Sequence, residues 1–415
     1  MNLFKKAYCR LFQTVMRAAL PFMPYRQPAL IDGLSGVPGV LGQHSVSCVL
    51  LTTDRTVRGL GLTAALEEDL RLHNIRCVVY DKVVPNPTTN NVEEALCLYR
   101  QHGCQALIGF GGGSSMDCAK AVGARVARPN RSLGQMEGIL NVHKKIPLLI
   151  AVPTTSGTGS ETTLAAIITD PIHHRKYPIN DFPLMPAYNV LDPALTVTLP
   201  PDVTASTGMD AMTHAVEAFI GRSTNAMTRE ASIRAVRLIL EHLPRAYSDG
   251  GDLSARAGMQ QAAYWAGAAF TRSYVGYVHA VAHTLGGQYG VPHGLANSVL
   301  LPLVLEQYGV HAHHRLALLA RAVGVSDSPD DRTAAEAFIA RIRGMNDAMG
   351  IPRTLSCIRE EDIPQMVRNA DREGNPLYPV PVLWGPEELE RIYHLVQEDQ
   401  QHDRARDPKH SHKAA

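Results

Sequence analysis

Five residues in the second half of the chain have the types and spacing of a metal site. Asp210 and His214 stand four apart in GMDAMTHAVE, and His279 and His283 stand four apart in YVHAVAHTLGG. His293 follows beyond a glycine-containing turn. Residues four apart share one face of a helix. A carboxylate and several imidazoles on otherwise apolar helices suit a divalent ion that keeps an open position for substrate. Either pair alone has a plainer explanation, a helix-surface hydrogen bond or a satisfied core histidine. Two such clusters together favour the metal, and spacing does not exclude any of the histidines. The other histidine groups are poorer candidates: His173 and His174 lie in a charged turn, and His311, His313 and His314 in a polar connector, both reading as solvated surface.

A second constellation has phosphate chemistry. The run ALIGFGGGSS at 106–115 is a strand, a flexible turn and a helix start. Glycines let backbone approach a phosphate, and the first helical N–H groups aim at the anion with the helix dipole behind them. The GxGxxG fingerprint is not matched, because Ser114 stands where the last glycine would fall, so this loop alone is weak. After the next strand, PTTSGTGSE at 153–161 supplies hydroxyls at Thr154, Thr155, Ser156, Thr158 and Ser160, with Gly157 and Gly159 between them. The plainer alternative is a Ser/Thr-rich cap leading a helix over 161–168. Two such loops at the carboxyl ends of neighbouring strands favour a dinucleotide, since ligands of open α/β sheets sit at that rim.

The elements that must position these loops alternate. Residues 46–53 read as a strand, 60–73 as a helix, 77–80 as a strand, 92–102 as a helix and 106–110 as a strand. A helix through Asp117 and Lys120 and a strand over 146–152 follow. This alternation predicts a parallel sheet with both faces covered. After Pro200-Pro201 the apolar residues follow helical spacing. The expected organisation is therefore an N-terminal amphipathic helix over 1–27, an α/β dinucleotide-binding domain over 28–200, an all-helical metal-binding domain over 201–398, and a disordered tail over 399–415.

Bulk properties exclude other classes. Forty Lys and Arg against 39 Asp and Glu leave a formal charge of +1, which offers no field for a nucleic acid. Seven scattered cysteines, with no CxxC, read as reduced thiols in a cytoplasmic protein. No apolar run is long enough to span a bilayer. Residues 1–20 have apolar positions at helical spacing, interrupted by Arg10 and Arg17, which argues against a signal peptide. That stretch either packs on its own or a partner subunit or lies peripherally on an anionic membrane.

Together GGGSSMDCAK at 111–120, PTTSGTGSE at 153–161, TGMDAMTHAVEA at 207–218 and GYVHAVAHTLGGQYGVPHGLANSVLLP at 276–302 resemble the iron-containing (group III) alcohol dehydrogenase family. The turn-like VVPNPT at 83–88 and DPALTVTLPP at 192–201 fit as well, and the resemblance runs from about Pro28 to Val396. It implies the dehydroquinate-synthase-like fold, with the active site in a cleft between the two halves, and a homodimer or larger. It implies that Asp210, His214, His279 and His293 hold Fe²⁺ or Zn²⁺, and that His283 stands beside the substrate as a proton relay or an orienting group. Cofactor contacts would fall on Asp54, Asn86, Gly112, Gly113, Ser114, Thr154, Thr155, Thr158 and Lys176, with Gly113 and Ser114 at the pyrophosphate and Lys176 at a ribose hydroxyl.

The implied reaction is hydride transfer between NAD and an alcohol/aldehyde pair, the metal polarising the alcohol oxygen. Asp54, at the carboxyl end of the first strand, would accept bonds from the ribose hydroxyls of NAD and repel the 2′-phosphate of NADP; its plainer role is a cap. Where many members carry a small Asn-Ala-Gly-like run, this chain has Arg272-Ser273-Tyr274. On a continuous helix Arg272 would lie two turns before His279 and favour an anionic substrate. A hydroxyacid–oxoacid transhydrogenase or a glycerol-dehydrogenase-like enzyme is the alternative on the same fold. A dehydroquinate-synthase-type lyase would need more Lys and Arg around the histidines, and a metal-bearing scaffold would show no turnover.

Overall fold

The computed structural model describes residues 1–172 and 175–397. His173, His174 and the tail expected to be disordered over 399–415 lie outside the described residues. The chain forms two compact units: one is Met16–Tyr274, and the other joins Met1–Val15 to the chain from Val275 onward. No described helix is long and apolar enough to cross a membrane.

The chain opens with α1 (Leu3–Ala19). The unit Met16–Tyr274 then runs β1 (Ala29–Ile31), α2 (Val37–Gln43), β2 (Cys48–Thr52), α3 (Arg55–Gly59), α4 (Ala64–Leu72), β3 (Arg76–Tyr80), α5 (Thr89–Gln101), β4 (Ala106–Gly111) and α6 (Gly113–Ala127). It continues with β5 (Gly138–Ile139), β6 (Leu148–Pro153), β7 (Ala165–Asp170), β8 (Arg175–Asn180), β9 (Tyr188–Val190), α7 (Pro201–Ile220), α8 (Ala226–Ser248) and α9 (Leu253–Ser273).

Six strands form an all-parallel sheet in the order β1-β9-β6-β4-β2-β3. Its central strands β2, β4 and β6 are apolar on both sides because both faces are covered. Val49 and Leu51 of β2 join Ile108 and Phe110 of β4 in one core, with Leu66 and Leu70 of α4. Leu50 and Leu107 point the other way into a core with Val92 and Leu96 of α5 and Val122 of α6. The pairing Gly111↔Pro153 sets the ends of β4 and β6 level, so the two loops read from the sequence leave the sheet side by side. β5, β8 and β7 form a separate three-stranded sheet, with β7 and β8 antiparallel. β7 overturns the reading of a helix over 161–168: Ser160–Thr162 is a single 3-10 turn, and the chain then extends.

Strands give way to helices at Pro200-Pro201, where α7 begins with Pro at its first position, a place that needs no N–H donor. Packing divides the chain later, at Tyr274, since α7, α8 and α9 belong to the same compact unit as the sheet. A Cβ at Gly157 would come within 2.7 Å of Thr207 on α7, and one at Gly159 within 2.7 Å of Gly267 on α9. These close approaches seat the second loop on the helices.

The other unit contains α10 (Tyr277–Tyr289), α11 (His293–Tyr308), α12 (Val310–Ala322), α13 (Asp331–Ala348), α14 (Ile363–Gly374) and α15 (Pro386–Val396). Tyr277 anchors α10: its ring stacks on Trp384 at 5.0 Å, and its hydroxyl donates to Asn375 Oδ1 at 2.9 Å. Gly290, at φ 69°, ends α10 in the left-handed conformation that glycine adopts without strain. His311, His313 and His314 lie on α12 rather than in a connector, and His314 pairs with Asp331 at 2.7 Å.

Candidate active site

The first loop forms a backbone cradle. Gly111 has φ 143°, and a side chain there would strike Ser115. A Cβ at Gly112 would lie 3.6 Å from Thr155, and one at Gly113 would lie 3.1 Å from Thr158. The glycines therefore keep main chain facing the two threonines, at the N-terminus of a 15-residue helix. This suits a pyrophosphate. The buried Ser115 hydroxyl has no hydrogen-bond partner among the described residues. Thr154 N–H donates to Gly111 O at 3.0 Å and locks the loops together.

Asn86, Ser114 and Lys176 also meet. Asn86 N–H donates to Ser114 Oγ at 3.3 Å, and the Lys176 ammonium donates to Asn86 Oδ1 at 2.8 Å. Asp54 follows β2 and caps α3, accepting from Val57 N–H at 2.9 Å through Oδ1. Its Oδ2 lies 3.6 Å from the position of a Cβ on Gly111, at the mouth of the glycine turn. Capping and proximity to the turn thus use different oxygens.

On α7, His214 Nδ1 is 4.0 Å from Asp210 Oδ2 and both side chains are buried. The His214 ring stacks on Phe270 at 4.2 Å, which fixes its plane. On α10 and α11, the rings of His279 and His293 lie 5.3 Å apart, and Asn297 Nδ2 is 3.2 Å from one Nε2 and 3.1 Å from the other. Both Nε2 atoms thus lie against the same amide nitrogen. Asp210, His214, His279 and His293 each place a ligand atom within 4.8 Å of the other three. Three imidazoles and one carboxylate, three of the four residues buried, fit a divalent first-row ion.

His283 stands beside this set. Its ring stacks on His293 at 5.1 Å, and its Nδ1 lies 2.6 Å from Glu373 Oε1. Burial opposes ionisation of Glu373, but the His283 ring and the bond from the Tyr378 hydroxyl at 2.7 Å outweigh it, holding its pKa below the ordinary value. An ionised Glu373 accepts from Nδ1–H, which leaves Nε2 as the ring nitrogen not engaged by the carboxylate.

Arg272 does not stand two turns before His279 on one helix. α9 stops at Ser273, and Tyr274 takes φ 64°, so the spacing that would have aimed its guanidinium no longer holds. The half-buried group lies over the Tyr25 ring, 5.3 Å from its centre, and 3.6 Å from Met227 Sδ.

Sequence reasoning missed three kinds of residue. Lys120 is wholly buried and donates to Ser160 O, Ser160 Oγ, Thr163 Oγ1 and Ala165 O, each within 2.8 Å, tying α6 to the second loop. Desolvation lowers its pKa to about 8 against the pull of Asp117 and Glu161, while burial raises Glu161 to about 7. The signal was Asp117 and Lys120 at helical spacing among small residues. Asn297, one turn after His293, had only that spacing to mark it. Glu373 and Tyr378 had none.

Two family profiles match the chain: "Iron-containing alcohol dehydrogenase" over residues 32–193 and "Fe-containing alcohol dehydrogenase family, C-terminal" over 204–395. The NAD-dependent methanol dehydrogenase of Bacillus methanolicus is 35% identical over 349 residues, covering 83% of this chain and 91% of the relative. The 1,3-propanediol dehydrogenase of Klebsiella pneumoniae is 38% identical over 331 residues, covering 79% and 85%. Among solved structures, a 1,3-propanediol oxidoreductase superposes with a TM-score of 0.86 at 34% identity, covering 89% of this chain and 98% of that one. The alcohol dehydrogenase from Oenococcus oeni gives 0.85 at 32%, covering 90% and 100%. The chain belongs to the iron-containing alcohol dehydrogenase family and is an NAD-linked, metal-dependent oxidoreductase of alcohols.

Proposed function

We propose that this enzyme interconverts small primary alcohols and their aldehydes, with Asp210, His214, His279 and His293 as the metal ligands and His283 as the proton relay. The observation that carries this reading is the grouping of the four ligand atoms within 4.8 Å. When bound, the metal supplies Lewis-acid polarisation of the substrate oxygen and NAD supplies the hydride acceptor. The chain's own residues do the rest. Gly112, Gly113, Ser114, Thr154, Thr155 and Thr158 would hold the pyrophosphate, Asn86 and Lys176 the adjoining ribose, and Asp54 the adenosine ribose. Phe270 keeps the His214 ring in plane, and Glu373 keeps His283 in the tautomer whose Nε2 can take a proton from the alcohol side.

The printed names of the relatives, methanol and 1,3-propanediol dehydrogenases, support a small uncharged alcohol. Arg272, occupied by Tyr25, gives no support to a hydroxy acid. We propose a homodimer as well: β1 is a sheet edge whose Leu30 is exposed, a surface a second copy can extend. Free thiols at all seven cysteines accord with the reducing cytoplasm, where we place the enzyme. Absorbance at 340 nm with NAD, Fe²⁺ or Zn²⁺ and a panel of alcohols, diols and hydroxy acids tests the reading. Turnover of primary alcohols supports it, and a flat trace, or turnover confined to hydroxy acids, rejects it.

A further inference from the structure

α1 packs on its own unit, and it does so through polar side chains. Its buried residues are Cys9 and Gln13, one turn apart, and Arg10 lies on the same face as Gln13. Arg10 Nη1 donates to Gln13 Oε1 at 2.8 Å, which turns the amide so that Nε2 meets the chain at 376–378. Nε2 then donates to Tyr378 O at 2.7 Å and Pro376 O at 3.2 Å. The Arg10 guanidinium donates to Val380 O at 2.9 Å and Pro381 O at 3.0 Å. The segment that receives these bonds has need of them. NPLYPVP at 375–381 carries three prolines, which have no N–H, and it forms neither helix nor strand. Its carbonyls therefore take donors from elsewhere. The ends of the loop are tied by Tyr277, whose hydroxyl donates to Asn375 Oδ1 and accepts from Trp384 N–H at 3.0 Å. The middle rests on α1.

What the loop carries is Tyr378. Its backbone oxygen takes the Gln13 amide, while its hydroxyl donates to Glu373 Oε1 at 2.7 Å. That carboxylate oxygen lies 2.6 Å from His283 Nδ1. Hydrogen bonds thus run from Gln13 through Tyr378 and Glu373 to His283, all inside one compact unit. A loop displaced by about 1 Å would carry the Tyr378 hydroxyl out of hydrogen-bond range of the carboxylate. We infer that Gln13 and Arg10 of α1 are positioning residues for His283, acting through the Tyr378 hydroxyl on Glu373. The inference rests on the reading of His283 as the proton relay.

The test is steady-state alcohol oxidation by the full-length, metal-loaded enzyme, as wild type, Arg10→Met/Gln13→Met, Tyr378→Phe and the combination of these changes. Methionine keeps side-chain bulk and removes the donors. Assays run well below each thermal midpoint, so that folded protein is compared with folded protein. Arg10→Met/Gln13→Met should lower kcat about threefold to tenfold, with metal content and NADH affinity unchanged. Arg10→Lys, which still donates, should fall less than Arg10→Met. Hydrogen exchange at the Tyr378 and Val380 amides should rise in Arg10→Met/Gln13→Met, with or without metal. In the Tyr378→Phe background the α1 changes should lower kcat no further, because the bond they protect is already gone. Wild-type kcat or unchanged exchange in Arg10→Met/Gln13→Met would overturn the inference. So would an equal further fall in the Tyr378→Phe background, which would make α1 a brace for the fold alone. Wild-type kcat in His283→Ala would instead overturn the relay reading itself, and the inference with it.

Discussion

His283 Nδ1 lies 2.6 Å from Glu373 Oε1, and that oxygen also accepts the Tyr378 hydroxyl at 2.7 Å. The carboxylate therefore sets which nitrogen of His283 carries the proton, in the way a buried acid orients a catalytic imidazole. If His283 relays the alcohol proton, Glu373→Gln should lower kcat about tenfold to a hundredfold, with metal content and NAD affinity retained. His283→Ala should do the same, and the double variant should lose little more. Additive losses would mean that the two residues act separately.

On the proposed assignment the cofactor preference turns on Asp54, which uses one oxygen to cap α3 while the other lies near the glycine turn. Substitution to Asn keeps an N-cap acceptor and removes the charge; substitution to Gly removes both. The wild type should prefer NAD over NADP by at least about tenfold in kcat/KM. Asp54→Asn should narrow that ratio with the melting temperature unchanged. Asp54→Gly should narrow it too, with a small loss of stability. Equal use of both cofactors by the wild type would leave Asp54 as a cap alone.

Glu161 makes stability depend on pH. Burial raises its folded pKa to about 7, above the ordinary carboxylate value. Between that value and about 7 the folded chain holds a proton that the unfolded chain releases, so this group's contribution falls as pH rises through the window. At ~1.4 kcal/mol per unit the loss is on the order of 3 kcal/mol; the contribution is fully present below the unfolded pKa and gone above about 7. Glu161→Gln should flatten this decline in melting temperature from pH 5 to 7. An identical pH profile in the variant would show that the carboxyl is ionised throughout.

Much of the architecture was legible because its physics is local. β2, β4 and β6 read as strands because both faces are covered, so their apolar runs are continuous. β7 and β8 did not, because the half-buried Asp170 and the exposed Arg175 and Lys176 leave no continuous apolar run, and pairing with each other makes them strands. The break between α9 and α10 was hidden because Tyr274, not a glycine, takes the positive φ. At the site, helical spacing brought out Asp210, His214, His279 and His283. What sets His283 apart from the ligand group is Glu373, 90 residues downstream, a tertiary contact no spacing rule reaches. Lys120 was overlooked because a lysine reads as surface until its four acceptors are seen.

The metal site makes a prediction for the other half of the chemistry as well. If, as proposed, the glycine and threonine loops hold the cofactor, His293→Ala should still quench or shift NADH fluorescence on titration. Its turnover should fall at least about a thousandfold, since Lewis-acid stabilisation is worth several kcal/mol. Loss of NADH binding in this variant would tie the two sites together.

The most direct measurement is metal content against turnover in anaerobically purified enzyme, for the wild type and His279→Ala. The wild type should carry about one divalent ion per chain, with activity rising in proportion to occupancy on reconstitution, and His279→Ala should carry none and turn over nothing. A stoichiometric ion with normal activity in His279→Ala, or full activity in metal-free wild type, would contradict the assignment of Asp210, His214, His279 and His293 as the centre of the chemistry.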